Sequence, residues 1–290
     1  MKNIFLAEHH EMLPFFKTLS EKKEYVLVNV DSRSDMSIPS NNINGINFMA
    51  NSIMNNYFSK IIWIKDNESF DADDGFYDVN IFWDPYCSEW RCDFENRTSF
   101  LHNYFSSYKK DDIEDYYGSL KFDQGFKKVQ VEVISEKNLS SSKFAGLDWV
   151  LSIDCDFFSA TNPFKSDLLK SAAVLGEQKS IEIKNTFLKI KTYQEWNNFK
   201  KNLILSKEWK EADAFLKNYN IETFYSDQEI EEKMQAVIKF LKTNFEKQKC
   251  LSALTCFSFF SGYTQRERCP KIVSTIDTIF KNFDYFWEKA

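Results

Sequence analysis

Two apolar, β-rich runs in this chain each close on an acid. Residues 25–30 (YVLVNV) end at Asp31, and residues 149–153 (WVLSI) end at Asp154. Such runs read as strands of an α/β sheet. Open α/β sheets bind ligands beyond the carboxyl ends of their strands. The two acids are therefore expected at a ligand-binding edge.

The rest of the pattern agrees. Residues 3–7, 60–64, 79–83, 129–134 and 251–260 read as strands. Helices are expected near 10–20, 47–58, 226–246 and 270–287, and the stretch 164–247 is mainly helical. Ser226 with Glu229 three residues on forms a capping-box signature for the 226–246 helix. Alternating strands and helices predict a three-layer α/β domain with a mostly parallel sheet, one domain over residues 1–290. Residues 66–127 mix short strands with aromatic and charged loop material and read as an insertion or lid.

Composition narrows the function classes. Hydrophobic residues make up 43%, with 29 Phe and 7 Trp, so the core is large and aromatic. A net charge of −6 without a Lys/Arg block argues against nucleic acid as a partner. No apolar run is long enough for a membrane helix, and residues 1–6 are too short for a secretory leader, so a cytoplasmic location is expected. The six Cys (87, 92, 155, 250, 256 and 269) form no CxxC pair and read as free, mostly packing thiols. The absence of a GxGxxG or Walker-type loop weakens the nucleotide-binding readings.

Three polar groups sit at the predicted strand ends: His9 with His10, then Asp31, Arg33 and Asp35, then Asp154 and Asp156. Alternate carboxylates where a strand loses its regularity can converge on one cation. Carboxylate oxygens suit Mn²⁺ and Mg²⁺, and an imidazole shifts the preference towards Mn²⁺, Fe²⁺ or Zn²⁺. Each fragment also has a structural reading: His9 beside a helix start, Asp31 and Asp35 as loop caps, Asp154 and Asp156 paired with Arg33. Cys155 and the Phe157–Phe158 pair read as core, His10 as outer-shell or surface, His102 as structural, and Asp71, Asp73 and Asp74 as a solvated turn.

Longer phrases carry a resemblance. Residues 8–14 (EHHEMLP), 30–39 (VDSRSDMSIP) and 151–159 (LSIDCDFFS), the last continuing through Asn162, Pro163 and Phe164, resemble in order and spacing the arginase-like metallohydrolases, specifically the peptide arginase branch. The resemblance implies a three-layer arginase-like fold and two Mn²⁺ ions. One would be held by His9, Asp31, Asp35 and Asp154. Asp31 and Asp154 would bridge to a second, completed by Asp156 and a His at the centre of a DxHxD loop. Here that centre is Arg33, whose guanidinium stays protonated and offers no lone pair. The family also carries an acid near Ile46, an Arg near Phe257 and an Asp near Ser261. Asn47, Ser261 and Tyr263 would line the substrate pocket.

The implied reaction is attack of water on the guanidinium carbon of an arginine in a peptide or protein, giving ornithine and urea, with Asp154 and Asp156 as catalytic acids. The departures imply weakened activity, with one Mn²⁺ or none. We expect Arg33 to substitute electrostatically for the second ion, forking onto Asp156 and Asp154. The alternatives are a non-catalytic peptide-binding or regulatory relative and, more remotely, a sugar-nucleotide transferase using the Asp154/Asp156 pair.

Overall fold

The computed structural model describes residues 3–21, 24–36, 47–67, 72–84, 89–94, 127–159, 225–258 and 268–282, with isolated positions between them. The chain adopts a mixed α/β fold around an eight-stranded, mostly parallel sheet of order β1-β8-β7-β2-β3-β6-β4-β5. The strands are β1 Asn3–Leu6, β2 Val26–Asp31, β3 Lys60–Lys65, β4 Gly75–Asp84, β5 Glu89–Phe94, β6 Lys127–Ser135, β7 Trp149–Asp154 and β8 Cys250–Cys256. Pairing is parallel from β1 through to β6, and β4 and β5 then extend the sheet antiparallel.

Every residue of β2 and of β7 is buried, as a central parallel strand requires. Alternation divides their side chains between two faces. Val26, Val28 and Val30 face a core shared with helices α4 (Asp227–Asn244) and α5 (Cys269–Asn282), through Ile230, Val237, Ile272 and Ile276. Leu27 faces the opposite core, closed by α1 (Leu13–Ser20) and α2 (Phe48–Met54) through Phe16, Phe48 and Met49. The short α3 (Asp156–Ser159) follows β7 directly.

The capping box at Ser226 and Glu229 forms, and α4 starts one residue beyond Ser226. The helix expected over residues 10–20 divides into a 3-10 turn at His9–Met12 and then α1, with Pro14 in the first turn of α1. A Pro in that position lacks only an amide proton that would have no intrahelical acceptor. Within the expected insertion at 66–127, β4 and β5 belong to the sheet itself. Residues 95–126, most of 160–224, and Ile46, Asp71, His102, Ser261 and Tyr263 lie outside the described residues.

Asp74 is exposed at the bend before β4, as the solvated-turn reading expects, and its carboxylate is also committed. It accepts hydrogen bonds from Ser135 N (2.9 Å), Ser135 Oγ (2.7 Å) and Asn138 Nδ2 (2.6 Å), and so clamps the start of β4 to the end of β6. Another buried polar link lies nearby. Lys233 of α4 places Nζ 2.6 Å from Asp66 Oδ2 and 2.8 Å from Glu136 Oε2, and 4.1 Å above the Phe157 ring. It ties the helix layer to the loops after β3 and β6. Lys233→Met should lower stability by about 3–5 kcal/mol, because two largely buried carboxylates lose their cation. Urea denaturation of the variant and the parent measures this directly; an unchanged midpoint would mean that the carboxylates find other partners.

Candidate metal centre

The sheet order sets β2 and β7 side by side. From β2 the chain proceeds to β3 on one side, and from β7 to β8 on the other. Such a reversal opens a crevice at the carboxyl ends of the two strands. Asp31 is the last residue of β2 and Asp154 the last of β7. Alternation turns both towards the α1/α2 face. Each then binds a backbone amide two residues on: Asp31 Oδ1 accepts from Arg33 N (2.9 Å), and Asp154 Oδ1 accepts from Asp156 N (2.9 Å). These Asx turns pin one oxygen of each carboxylate and leave Oδ2 directed inward.

His9 meets those oxygens. It lies in the 3-10 turn after β1, wholly buried, with its ring against Phe48 at 4.2 Å between centroids. Nδ1 is 3.1 Å from Asp31 Oδ2, 3.0 Å from Asp35 Oδ2 and 3.2 Å from Asp154 Oδ2. Nε2 is 3.0 Å from Ser152 Oγ, whose hydroxyl donates to Met12 Sδ at 3.2 Å. With its proton used in that way, Ser152 Oγ accepts from Nε2–H, so that a neutral His9 carries its lone pair on Nδ1. A lone pair facing three carboxylate oxygens is repulsive unless positive charge intervenes.

The donor set fits a divalent cation. One ligand atom from each of His9, Asp31, Asp35 and Asp154 lies within 4.8 Å of all the others. Neighbouring ligands on an octahedron with bonds of about 2.1 Å stand about 3.0 Å apart, close to the separations around Nδ1. Asp35 Oδ1 is buried and accepts no hydrogen bond among the described residues. Asp35 also holds a left-handed backbone (φ 48°), which aspartate tolerates better than most residues. Its carbonyl accepts from Met49 N at 3.2 Å, which anchors the loop to α2.

Charge crowding sets the titration behaviour of the cation-free chain. Burial lowers the pKa of His9, but Cys256 and the carboxylates of Asp154, Asp31 and Asp35 outweigh it and raise the value well above the ordinary one. Burial, then the charge on Asp35, lifts Asp31 to about 7 against the pull of His9. Burial also raises Asp35, opposed by Arg33 and His9. Asp154 goes the other way: burial raises it, but the His9 hydrogen bond and the charges of His9 and Arg33 bring it below the ordinary range. Burial and the charges of Asp154 and Asp31 push Asp156 well up, with Arg33 opposing.

Asp156 stands outside the four-donor set. Its Oδ1 accepts from Ser32 N at 3.4 Å, and its Oδ2 lies 3.5 Å from Arg33 Nη2. The same Nη2 is 4.0 Å from Asp35 Oδ1. The expected fork of Arg33 therefore falls on Asp156 and Asp35; Asp154 feels its charge at longer range. Asn47 is buried at the start of α2, where its carbonyl accepts from Asn51 N. Cys155, Phe157 and Phe158 belong to the α4/α5 core. His10 is partly buried and takes no part in the donor set.

Three residues at the centre carried no signal in the sequence reading. Ser152 is the partner of His9 Nε2. Ser258, in a left-handed conformation (φ 49°), donates to Asp154 Oδ2 at 2.6 Å. Cys256, read as a packing thiol, joins His9 and Asp154 in a second group of potential ligands. Only the alternation that puts Ser152 on the Asp154 side of β7 was available from sequence. The other contacts depend on strand order. No family model and no curated protein gives a significant match to the chain.

The pKa directions fix how stability varies with pH. The folded chain binds more protons than the unfolded one wherever a folded pKa is raised, so stability falls as pH rises through that interval. For Asp31 the interval runs from 3.8 to about 7, and the raised His9 extends the fall upward. The cation-free chain should thus melt at progressively lower temperature between about pH 4 and pH 7, and further as His9 titrates above that. A divalent cation, taking the place of the protons, should restore most stability at the upper end. Thermal melts against pH, with chelator and with added Mn²⁺ or Zn²⁺, test this; a flat profile without metal would remove the electrostatic reading of the cluster.

Proposed function

We propose that the chain is a divergent peptide-arginase-like metallohydrolase with a three-layer arginase-like fold and a single divalent cation on His9, Asp31, Asp35 and Asp154. The observation that carries this reading is the convergence of three buried carboxylate oxygens on His9 Nδ1 at the crevice between β2 and β7. A divalent cation held by these four residues would supply Lewis acidity, polarising a scissile group and lowering the pKa of water. The residues supply the rest. Ser152 orients the His9 ring, and the amides of Arg33 and Asp156 orient Asp31 and Asp154. Asp156, with its raised pKa, is suited to accept and return a proton.

The substrate class of this reading is arginine within a peptide or protein, cleaved to ornithine and urea in the cytoplasm. Arg33 alters that chemistry. Its guanidinium lies beside Asp156 and Asp35, where the resembled family uses a histidine to hold a second Mn²⁺. It supplies positive charge without Lewis acidity, and it repels a substrate guanidinium approaching the same carboxylates. That repulsion favours a second reading, a non-catalytic relative that binds peptides. The sugar-nucleotide transferase reading gains no comparable support, because Asp154 and Asp156 diverge: one turns to His9 and the other to Arg33.

Metal analysis after loading with Mn²⁺ should give no more than one ion per chain, and urea release from free or peptidyl arginine should be weak or undetectable. Arg33→His should raise the second-ion content towards two. Two tightly bound ions in the parent, or robust urea release from it, would overturn the role given to Arg33. A chain that binds no divalent cation under any condition would overturn the metallohydrolase reading.

A further inference from the structure

Cys256 is the last residue of β8 and the register partner of Asp154 on β7. Adjacent parallel strands therefore deliver a carboxylate and a thiol to one face at one level. A ligand atom of Cys256 lies within 4.8 Å of those of His9 and Asp154. The thiol is wholly buried, and Sγ is 3.6 Å from the Ser258 hydroxyl that holds Asp154 Oδ2. The two groups of potential ligands, His9–Asp31–Asp35–Asp154 and His9–Asp154–Cys256, share an edge.

We propose that Cys256 is a further metal ligand, and that its thiolate makes this a centre for a borderline-soft cation, Zn²⁺ or Co²⁺, in preference to Mn²⁺. The inference rests on the reading that His9 and Asp154 hold a cation. Thiolate ligands select Zn²⁺ over hard cations, whereas an all-carboxylate and imidazole set leaves Mn²⁺ competitive. Binding deprotonates the thiol: the S–H bond gives way to a sulfur–metal bond, and the proton leaves to solvent. No redox step is involved. A thiol that only packed would be indifferent to the metal at the site.

Cobalt distinguishes the cases in the full-length chain. Titration of metal-free protein with Co²⁺ should give visible d–d bands together with a near-ultraviolet thiolate-to-cobalt charge-transfer band. Cys256→Ser should keep the d–d bands, lose the charge-transfer band and weaken Zn²⁺ binding by about tenfold or more, with little change for Mn²⁺. A second measurement needs no variant: X-ray absorption of the Zn²⁺ form should contain a sulfur neighbour at about 2.3 Å. Cobalt binding without the charge-transfer band, a band that survives Cys256→Ser, or a zinc shell without sulfur would overturn the role of Cys256 and leave the carboxylate–histidine site standing. Failure of Co²⁺, Zn²⁺ and Mn²⁺ alike to bind would overturn both.

Discussion

Three carboxylate oxygens crowd one buried imidazole nitrogen, and much of the surrounding structure follows from keeping them there. Like charges out of water repel strongly unless neutralised. The cluster persists in the fold because each member is held from outside it. Asp31 and Asp154 are fixed by Asx turns, Asp35 by its loop contact to α2, and His9 by Ser152 behind and Phe48 beside the ring. Even the backbone carbonyl of Asp31 is committed, accepting from Trp63 Nε1 at 3.0 Å. Rigid carboxylates that cannot move apart form a preorganised cation site.

The sheet edge makes this arrangement possible, and that part was legible in the sequence. The runs ending at Asp31 and Asp154 became the adjacent central strands β2 and β7. Their apolar alternation left no other place for the acids than the carboxyl end. The i, i+2 spacing of Asp154 with Asp156 was read as a pair of converging side chains. Its physical meaning is different: the second residue contributes its amide to the first, and its side chain is aimed elsewhere. That is why Asp156 faces Arg33 while Asp154 faces His9.

What the sequence withheld was set by contacts between distant segments. Ser152 and His9 are 143 residues apart, and Ser258 and Asp154 are 104 apart. No local pattern marks either serine. Lys233 is buried against Asp66, 167 residues away, and no local pattern marks that contact either. Cys256 shared the fate of most cysteines in a reducing-type composition and was assigned to packing. Its register with Asp154 follows only from β8 lying beside β7, an order that alternating hydrophobicity does not specify.

Arg33 and a second cation would compete for the same carboxylates. Asp31, Asp35, Asp154 and Asp156 contribute four negative charges when ionised, and all four are buried. One divalent cation and the Arg33 guanidinium supply three positive charges. A second dication would stand beside a guanidinium that is itself 3.5 Å from Asp156. Arg33 would then have to leave a largely buried position and give up its ion pairs. Under the proposed reading, the Arg33 guanidinium beside Asp156 and Asp35 takes a place where a second ion would have to compete with it.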